Sequence, residues 1–122
     1  MRQEIRGRAV DGLQALAVSL EAVMSLGTEQ ERFAAMLGEL LVWATKQGYK
    51  IRIGDVFAHD GHRPNSNHYL KLAADLYVYR PGATEQDEEA HKRMHDCWDE
   101  LGGAPRIEAD MNHYSIVYGG AW

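Results

Sequence analysis

Residues 66–79 read Ser-Asn-His-Tyr-Leu-Lys-Leu-Ala-Ala-Asp-Leu-Tyr-Val-Tyr, and this stretch decides the fold. A polar loop rich in glycine, proline and asparagine, residues 59–67, leads into it, and a nearly continuous apolar run, residues 72–79, follows. An apolar run bounded by turn residues predicts a buried β-strand. One acid, Asp75, interrupts the run, and a carboxylate is costly to bury without a positive partner. We therefore expect a cation beside the Asp75 carboxylate.

Helical patterns precede this strand. One helix is predicted to end at Gly27, and a second to begin at a capping box of Thr28 and Glu31 and to end at Gly48. Apolar residues recur at three- and four-residue steps in both: Val10, Leu13, Leu16, Ala17, Leu20, Val23 and Met24 in the first, and Phe33, Met36, Leu37, Leu40, Leu41 and Ala44 in the second.

The other elements are predicted from changes of period and from turn residues. Alternation over residues 49–57 indicates a strand with one buried face. A third helix is expected from Thr84 to Leu101, where Trp98 and Cys97 belong to the inward stripe and two glycines follow. Ile107 is expected on a short strand and residues 114–118 on a last one. These elements together predict a single α+β domain, with helices packed on a small antiparallel sheet.

Composition and charge exclude several classes of function. The 122 residues carry a formal net charge of −5, which gives no electrostatic reason to expect a nucleic-acid partner. No stretch approaches the roughly 20 apolar residues that cross a bilayer, so membrane insertion is not expected. Asp11 and Glu21 interrupt any apolar signal segment, so we expect synthesis in the cytoplasm without a signal peptide. The single cysteine, Cys97, forms no internal disulfide.

Two histidines are placed to join Asp75. His68 lies seven residues before it, where the loop enters the strand, and His113 lies just before the last strand, which antiparallel pairing can bring alongside. Two imidazoles and one carboxylate are a typical ligand set for catalytic zinc. Asp110 precedes His113 by three residues and is placed to transfer the proton of a water molecule, which amide hydrolysis requires.

The same residues carry a resemblance to a known family. Residues 66–75, with Ser66, His68 and Asp75, resemble the S-x-H-x-x-G-x-A-x-D signature of the D-alanyl-D-alanine carboxypeptidase family of zinc peptidases. Residues 98–115, with a Leu-Gly-Gly turn and Asp-Met-Asn-His-Tyr-Ser, are similar to the C-terminal half of its phage L-alanyl-D-glutamate endopeptidases. Together with the strand end at residues 54–57, the resemblance covers roughly residues 33–120.

The resemblance implies a fold and an activity. It implies a hedgehog-like zinc peptidase domain over residues 1–122, with residues 1–27 as an N-terminal helix and residues 28–122 as the catalytic core. The implied activity is hydrolysis of an amide bond in peptidoglycan stem peptides, as in a phage endolysin. Such an enzyme is expected to act as a monomer and to reach the wall after the membrane is permeabilised.

The resemblance also assigns residues. It makes His68, Asp75 and His113 the zinc ligands and Asp110 the general base, while Ser66 is expected to order the His68 loop or to touch substrate. The chain departs from the family at two positions, with Lys71 at the motif glycine and Ala58 where many relatives carry a substrate-binding arginine.

Other polar residues near the proposed site have open roles. Arg63 is a candidate to supply the missing charge. His59 and His62, in the same loop, are expected either to face solvent or to contact substrate.

Several residues are expected to be structural, and two other functions stay open. His91 and His95 are expected on a solvated helix face, and Trp98 and Trp122 are expected to pack. The alternatives to an endopeptidase are a D-alanyl-D-alanine carboxypeptidase and a non-catalytic zinc-binding module of the same fold.

Overall fold

The computed structural model describes residues 18–58, 61–62 and 66–122, and it describes the side chains only from residue 26 onward. In this part of the chain there are two α-helices, α1 (Val18–Lys46) and α2 (Glu88–Leu101). Three strands, β1 (Lys50–Ile53), β2 (Ala73–Tyr79) and β3 (His113–Ser115), form one antiparallel sheet. Short 3-10 helices at Asn67–Leu70 and Glu108–Asp110 precede β2 and β3. The predicted α+β class is therefore confirmed.

Strand β2 is the centre of the sheet and sets its register. On one side Ile53 of β1 pairs with Leu76, and on the other His113 of β3 pairs with Asp75. The pairing continues beyond β1, because Gly54 donates to the Asp75 carbonyl at 2.7 Å and Asp75 donates to the Asp55 carbonyl at 2.8 Å. Asp75 therefore pairs with the segment that follows β1 on one side and with β3 on the other.

Burial alternates along most of β2, although its sequence is a nearly continuous apolar run. Ala74, Leu76 and Val78 are fully buried on the face that packs against the helices, whereas Tyr77 and Tyr79 are half-buried on the other. Asp75 lies on this second face, where its side chain is 17% exposed. The sheet therefore does not place the carboxylate in the apolar core, as a continuous buried strand would have done.

Helix α1 is one continuous helix, so the predicted break at Gly27 and Thr28 is wrong. A glycine inside a helix costs about 1 kcal/mol, which packing readily offsets. Leu26 and Phe33 both pack against the core, and the Gln30 side chain donates to the Leu70 carbonyl at 2.8 Å. These tertiary contacts span the predicted boundary. Residues 1–17, which include most of the predicted N-terminal helix, lie outside the described residues.

Two other elements differ from the prediction, one because a side chain caps a helix and one because a 3-10 helix replaces a strand. Helix α2 begins at Glu88 rather than Thr84, because the Asp87 carboxylate accepts from the Ala90 N–H at 3.0 Å and caps it. Ile107 is not on a strand but precedes the 3-10 helix Glu108–Asp110.

The core lies between the two helices and one face of the sheet. Trp98 is fully buried there, as predicted, and its indole N–H donates to the Ser115 carbonyl at 2.7 Å. Cys97 and Trp122 are half-buried, and Cys97 packs against the core. None of the described helices is long and apolar enough to span a membrane.

Candidate metal centre

The pairing of β2 with β3 brings the first two candidate ligands together. Asp75 and His113 are direct cross-strand partners, so their side chains share one face of the sheet. His113 Nδ1 lies 3.9 Å from Asp75 Oδ1. The sequence placed His113 just before the last strand; in the structure it is the first residue of that strand, and this puts it level with Asp75.

The 3-10 helix Asn67–Leu70 delivers the third candidate, His68. Ser66 Oγ caps this helix by accepting from the His68 N–H at 3.3 Å, and Ser66 is buried. Ser66 thus contacts the His68 backbone, and its burial leaves little of the residue open to solvent. The Asn67 side chain donates to the Ile116 carbonyl at 2.7 Å, which ties the helix to the chain after β3.

Lys71 ends this helix in a left-handed conformation, with φ of 60°. It is the one non-glycine residue with positive φ among the described residues. Lys71 occupies the glycine position of the family motif, and it adopts the backbone conformation that favours glycine. The Lys71 ammonium lies 4.8 Å from the centre of the Phe57 ring.

Three potential ligand atoms lie close to one another. His68 Nε2 is 3.2 Å from Asp75 Oδ1 and 3.3 Å from His113 Nδ1. Tetrahedral ligands of one zinc ion, each bound at 2.0–2.1 Å, lie about 3.3 Å from each other. The third distance, 3.9 Å between His113 Nδ1 and Asp75 Oδ1, is longer, so two of the three spacings match tetrahedral zinc and the third requires a small movement of Asp75 or His113. Nitrogen and oxygen donors of this kind suit a zinc ion.

Asp110 stands at the exposed side of this cluster. One of its carboxylate oxygens lies within 4.8 Å of ligand atoms of both Asp75 and His113. Its backbone N–H donates to the Ile107 carbonyl at 2.8 Å, which fixes the short helix Glu108–Asp110. Asp110 is therefore exposed and close to two of the candidate ligands.

His62 and Asp55 form a second layer over His68. His62 Nε2 lies 2.9 Å from Asp55 Oδ2, and the His62 ring stacks on the His68 ring with 4.0 Å between centres. His62 is therefore not the solvent-exposed residue that one reading of the sequence predicted. Asp55 was not predicted as a site residue, although it lies in the strand end, residues 54–57, that contributed to the resemblance.

The remaining predicted loop residues cannot all be placed. Arg63 and His59 lie outside the described residues. Ala58, at the family's arginine position, is buried, and its N–H donates to the His68 carbonyl at 3.1 Å. That position therefore supports the His68 helix and offers no charge to a substrate.

His91 and His95 are buried, so the predicted solvated helix face is wrong. His95 Nε2 donates to the Met111 carbonyl at 2.8 Å, and its ring stacks on Tyr114. His91 Nδ1 lies 2.7 Å from the Tyr114 hydroxyl, and its Nε2 donates to Gln86 Oε1 at 2.8 Å. The two histidines pack under the segment that carries Asp110 and His113 and hold it. Nothing in their helical spacing distinguishes this role from exposure.

Burial lowers the pKa of His91 to about 4, with His95 as a lesser cause. The unfolded chain takes up the proton near pH 6.5, so it binds more protons than the folded state between pH 6.5 and 4. The free energy of unfolding should therefore fall as the pH drops through this window. The His91→Gln variant cannot take up this proton. For the metal-free proteins we therefore expect the free energy of unfolding to fall between pH 7 and pH 4 by about 2–3 kcal/mol less in His91→Gln than in wild type. Urea unfolding of both proteins at each pH measures the difference; parallel curves would contradict it.

Comparison of the chain with protein-family models, with curated proteins and with solved structures gave no match.

Proposed function

We propose that this protein is a zinc-dependent peptidase that hydrolyses an amide bond in peptidoglycan stem peptides, as an endopeptidase of the endolysin type with a hedgehog-like fold. The observation that carries the proposal is the convergence of His68 Nε2, Asp75 Oδ1 and His113 Nδ1, with the Asp110 carboxylate beside them. The two-part sequence motif supports the choice of substrate. On this proposal the protein acts on the cell wall once the membrane has been permeabilised.

The three ligands and Asp110 have different tasks. A zinc ion held by His68, Asp75 and His113 supplies a Lewis acid that polarises a carbonyl and lowers the pKa of water. Asp110 accepts a proton from the attacking water while the water oxygen forms a bond to the carbonyl carbon. As the C–N bond breaks, Asp110 returns the proton to the leaving amine. The products are a new carboxylate and a new amine.

The exposure of the four residues suits this division. His68 and His113 are buried and are held by the 3-10 helix Asn67–Leu70 and by the sheet, so they are preorganised to bind a metal. Asp110 is exposed, so a substrate peptide can reach it. Arg63 remains, on the sequence alone, the candidate cation that would bind a substrate carboxylate.

Metal removal tests the proposal. Protein stripped with a chelator should release no new amino groups from purified peptidoglycan, and stoichiometric zinc should restore the release. Magnesium is the matched control, since it prefers six oxygen ligands and should not restore activity. Mass analysis of the fragments separates internal cleavage from loss of a terminal D-alanine, the carboxypeptidase alternative. Tight zinc binding without any cleavage would contradict the peptidase and favour the non-catalytic module.

A further inference from the structure

The candidate metal centre lies at one end of the sheet face that is opposite the described helices, which we call the outer face. Along β2 the side chains of Asp75, Tyr77 and Tyr79 alternate onto this face. The register pairs Arg52 with Tyr77 and Lys50 with Tyr79, so both cations of β1 share the outer face with the two tyrosines.

The Tyr77 ring covers the part of the outer face that is nearest the metal centre. It lies across Gly54, whose N–H donates to the Asp75 carbonyl at 2.7 Å. A Cβ atom at Gly54 would lie only 2.7 Å from Tyr77 Cε2, so a side chain at that position would displace the ring. The glycine thus allows an aromatic surface to extend from the metal centre along β2.

Arg52 stands at the far end of this surface. Its guanidinium carbon lies 4.4 Å from the centre of the Tyr79 ring, which supports the flat guanidinium, and Arg52 is exposed. No acid among the described residues forms an ion pair with Arg52, whereas Arg32, Arg80 and Arg106 each pair with one. The guanidinium can therefore offer its fork of N–H groups to a carboxylate from outside the chain.

The charges on the outer face suit an anionic ligand. Lys50 and Arg52 are both exposed cations, and apart from Asp75 the outer face of β1 and β2 carries no acid. The whole chain has a formal net charge of −5, so this positive strip runs against the overall balance. Local positive charge of this kind attracts carboxylates.

The spacing along β2 determines how far such a carboxylate lies from the metal centre. Tyr79 follows Asp75 by four residues, which corresponds to roughly 13 Å at about 3.3 Å per residue. An extended peptide that crosses the outer face advances by a similar step. A carboxylate at Arg52 is then about three to four residues from the bond at the metal.

We propose that Arg52, supported by the Tyr79 ring, binds the C-terminal carboxylate of the stem peptide, whose leaving-amine side lies along the outer face. This inference rests on the proposed function and adds a substrate subsite to it. An endopeptidase leaves several residues between the cut bond and the C-terminus, whereas a carboxypeptidase leaves one. The distance between Arg52 and the metal centre therefore supports internal cleavage.

Two synthetic peptides test the subsite with the zinc-loaded full chain. Both are N-acetyl-L-alanyl-γ-D-glutamyl-L-lysyl-D-alanine, and they differ only in ending with a free carboxylate or with a carboxamide. Release of new amino groups gives kcat/KM for each peptide. The variants are Arg52→Gln, Arg52→Lys, Tyr79→Phe and Tyr79→Leu. Arg93→Gln is the matched control, because Arg93 is an exposed arginine on α2, which packs against the opposite face of the sheet.

We expect wild type to prefer the carboxylate peptide by about 10-fold in kcat/KM, as a hydrogen bond to a charged group provides. Arg52→Gln should lose this preference and cleave the carboxamide peptide as fast as wild type does. Arg52→Lys should keep part of the preference, because the charge remains without the planar fork. Tyr79→Phe should keep it fully and Tyr79→Leu should lose part of it, since only the phenylalanine preserves the ring. Arg93→Gln should match wild type on both peptides.

Several results would overturn the inference, and they differ in what else they overturn. If wild type cleaves both peptides at one rate, or Arg52→Gln slows both equally, Arg52 binds no carboxylate while the peptidase stands. If Arg63→Gln loses the preference and Arg52→Gln keeps it, the carboxylate binds at Arg63. If wild type releases no amino groups from either peptide or from peptidoglycan, the proposed function fails and the subsite fails with it. Circular dichroism checks that each variant is folded.

Discussion

Replacing His68 with alanine should abolish stoichiometric zinc binding and, with it, hydrolysis of peptidoglycan. His68 Nε2 is the atom closest to both other candidate ligands, at 3.2 Å from Asp75 Oδ1 and 3.3 Å from His113 Nδ1. His68 is 1% exposed, so neither water nor a distant side chain can readily take its place. Because loss of an outer partner alone weakens metal binding about 10- to 100-fold, loss of this ligand should cost more.

The measurement is zinc content after gel filtration, followed by release of amino groups from peptidoglycan. Asp96→Asn is the control, because Asp96 is an exposed acid on α2 that pairs with Arg106 and not with a candidate ligand. It should keep its zinc. His68→Ala protein that retains one zinc per chain and remains active would show that the zinc binds elsewhere.

The second large effect is expected at Asp110. Asp110→Asn keeps the size of the side chain but removes its ability to accept a proton, so zinc should stay bound while hydrolysis falls by about 10²- to 10⁴-fold. The Asp110 carboxylate is exposed, and one of its oxygens lies within 4.8 Å of potential ligand atoms of Asp75 and His113, so it is beside the candidate metal site.

Glu108→Gln is the control for Asp110→Asn, since Glu108 is an exposed acid in the same short helix. It should leave both zinc content and hydrolysis close to wild type. If Asp110→Asn instead loses its zinc, Asp110 is a metal ligand and some other group has to move the proton. Zinc content and reaction rate measured on the same preparation separate these outcomes.

Local patterns were sufficient to predict much of the fold. Strand β2, helix α2 and the last strand all lie where apolar periodicity and turn residues indicated, to within a few residues. Periodicity succeeds here because each element buries one face, and burial leaves its mark on neighbouring positions of the sequence. The break in α1 was mispredicted for the opposite reason: Gly27 is a local signal, and contacts with the core override it.

For the candidate site, the sequence determined which residues could bind a metal, and the tertiary structure determined which of them lie next to one another. The unusual acid in an apolar strand and the two motif histidines singled out Asp75, His68 and His113, because residue type alone limits which side chains can bind zinc. Pairing with His113 was anticipated, but the register that makes it the direct partner of Asp75 depends on the packed sheet.

What only the tertiary structure decided concerns residues with ordinary local patterns. The four-residue spacing of His91 and His95 fits an exposed helix face as well as a buried one, yet both rings are buried against Tyr114 of β3. The contact between the Asp55 and His62 side chains joins two positions of a loop, and no repeating sequence pattern predicts it. One-sided burial can be read from the sequence because it repeats with every turn of a helix or every second residue of a strand. Hydrogen bonds between distant segments have no such repeat, because they form only after the chain has packed.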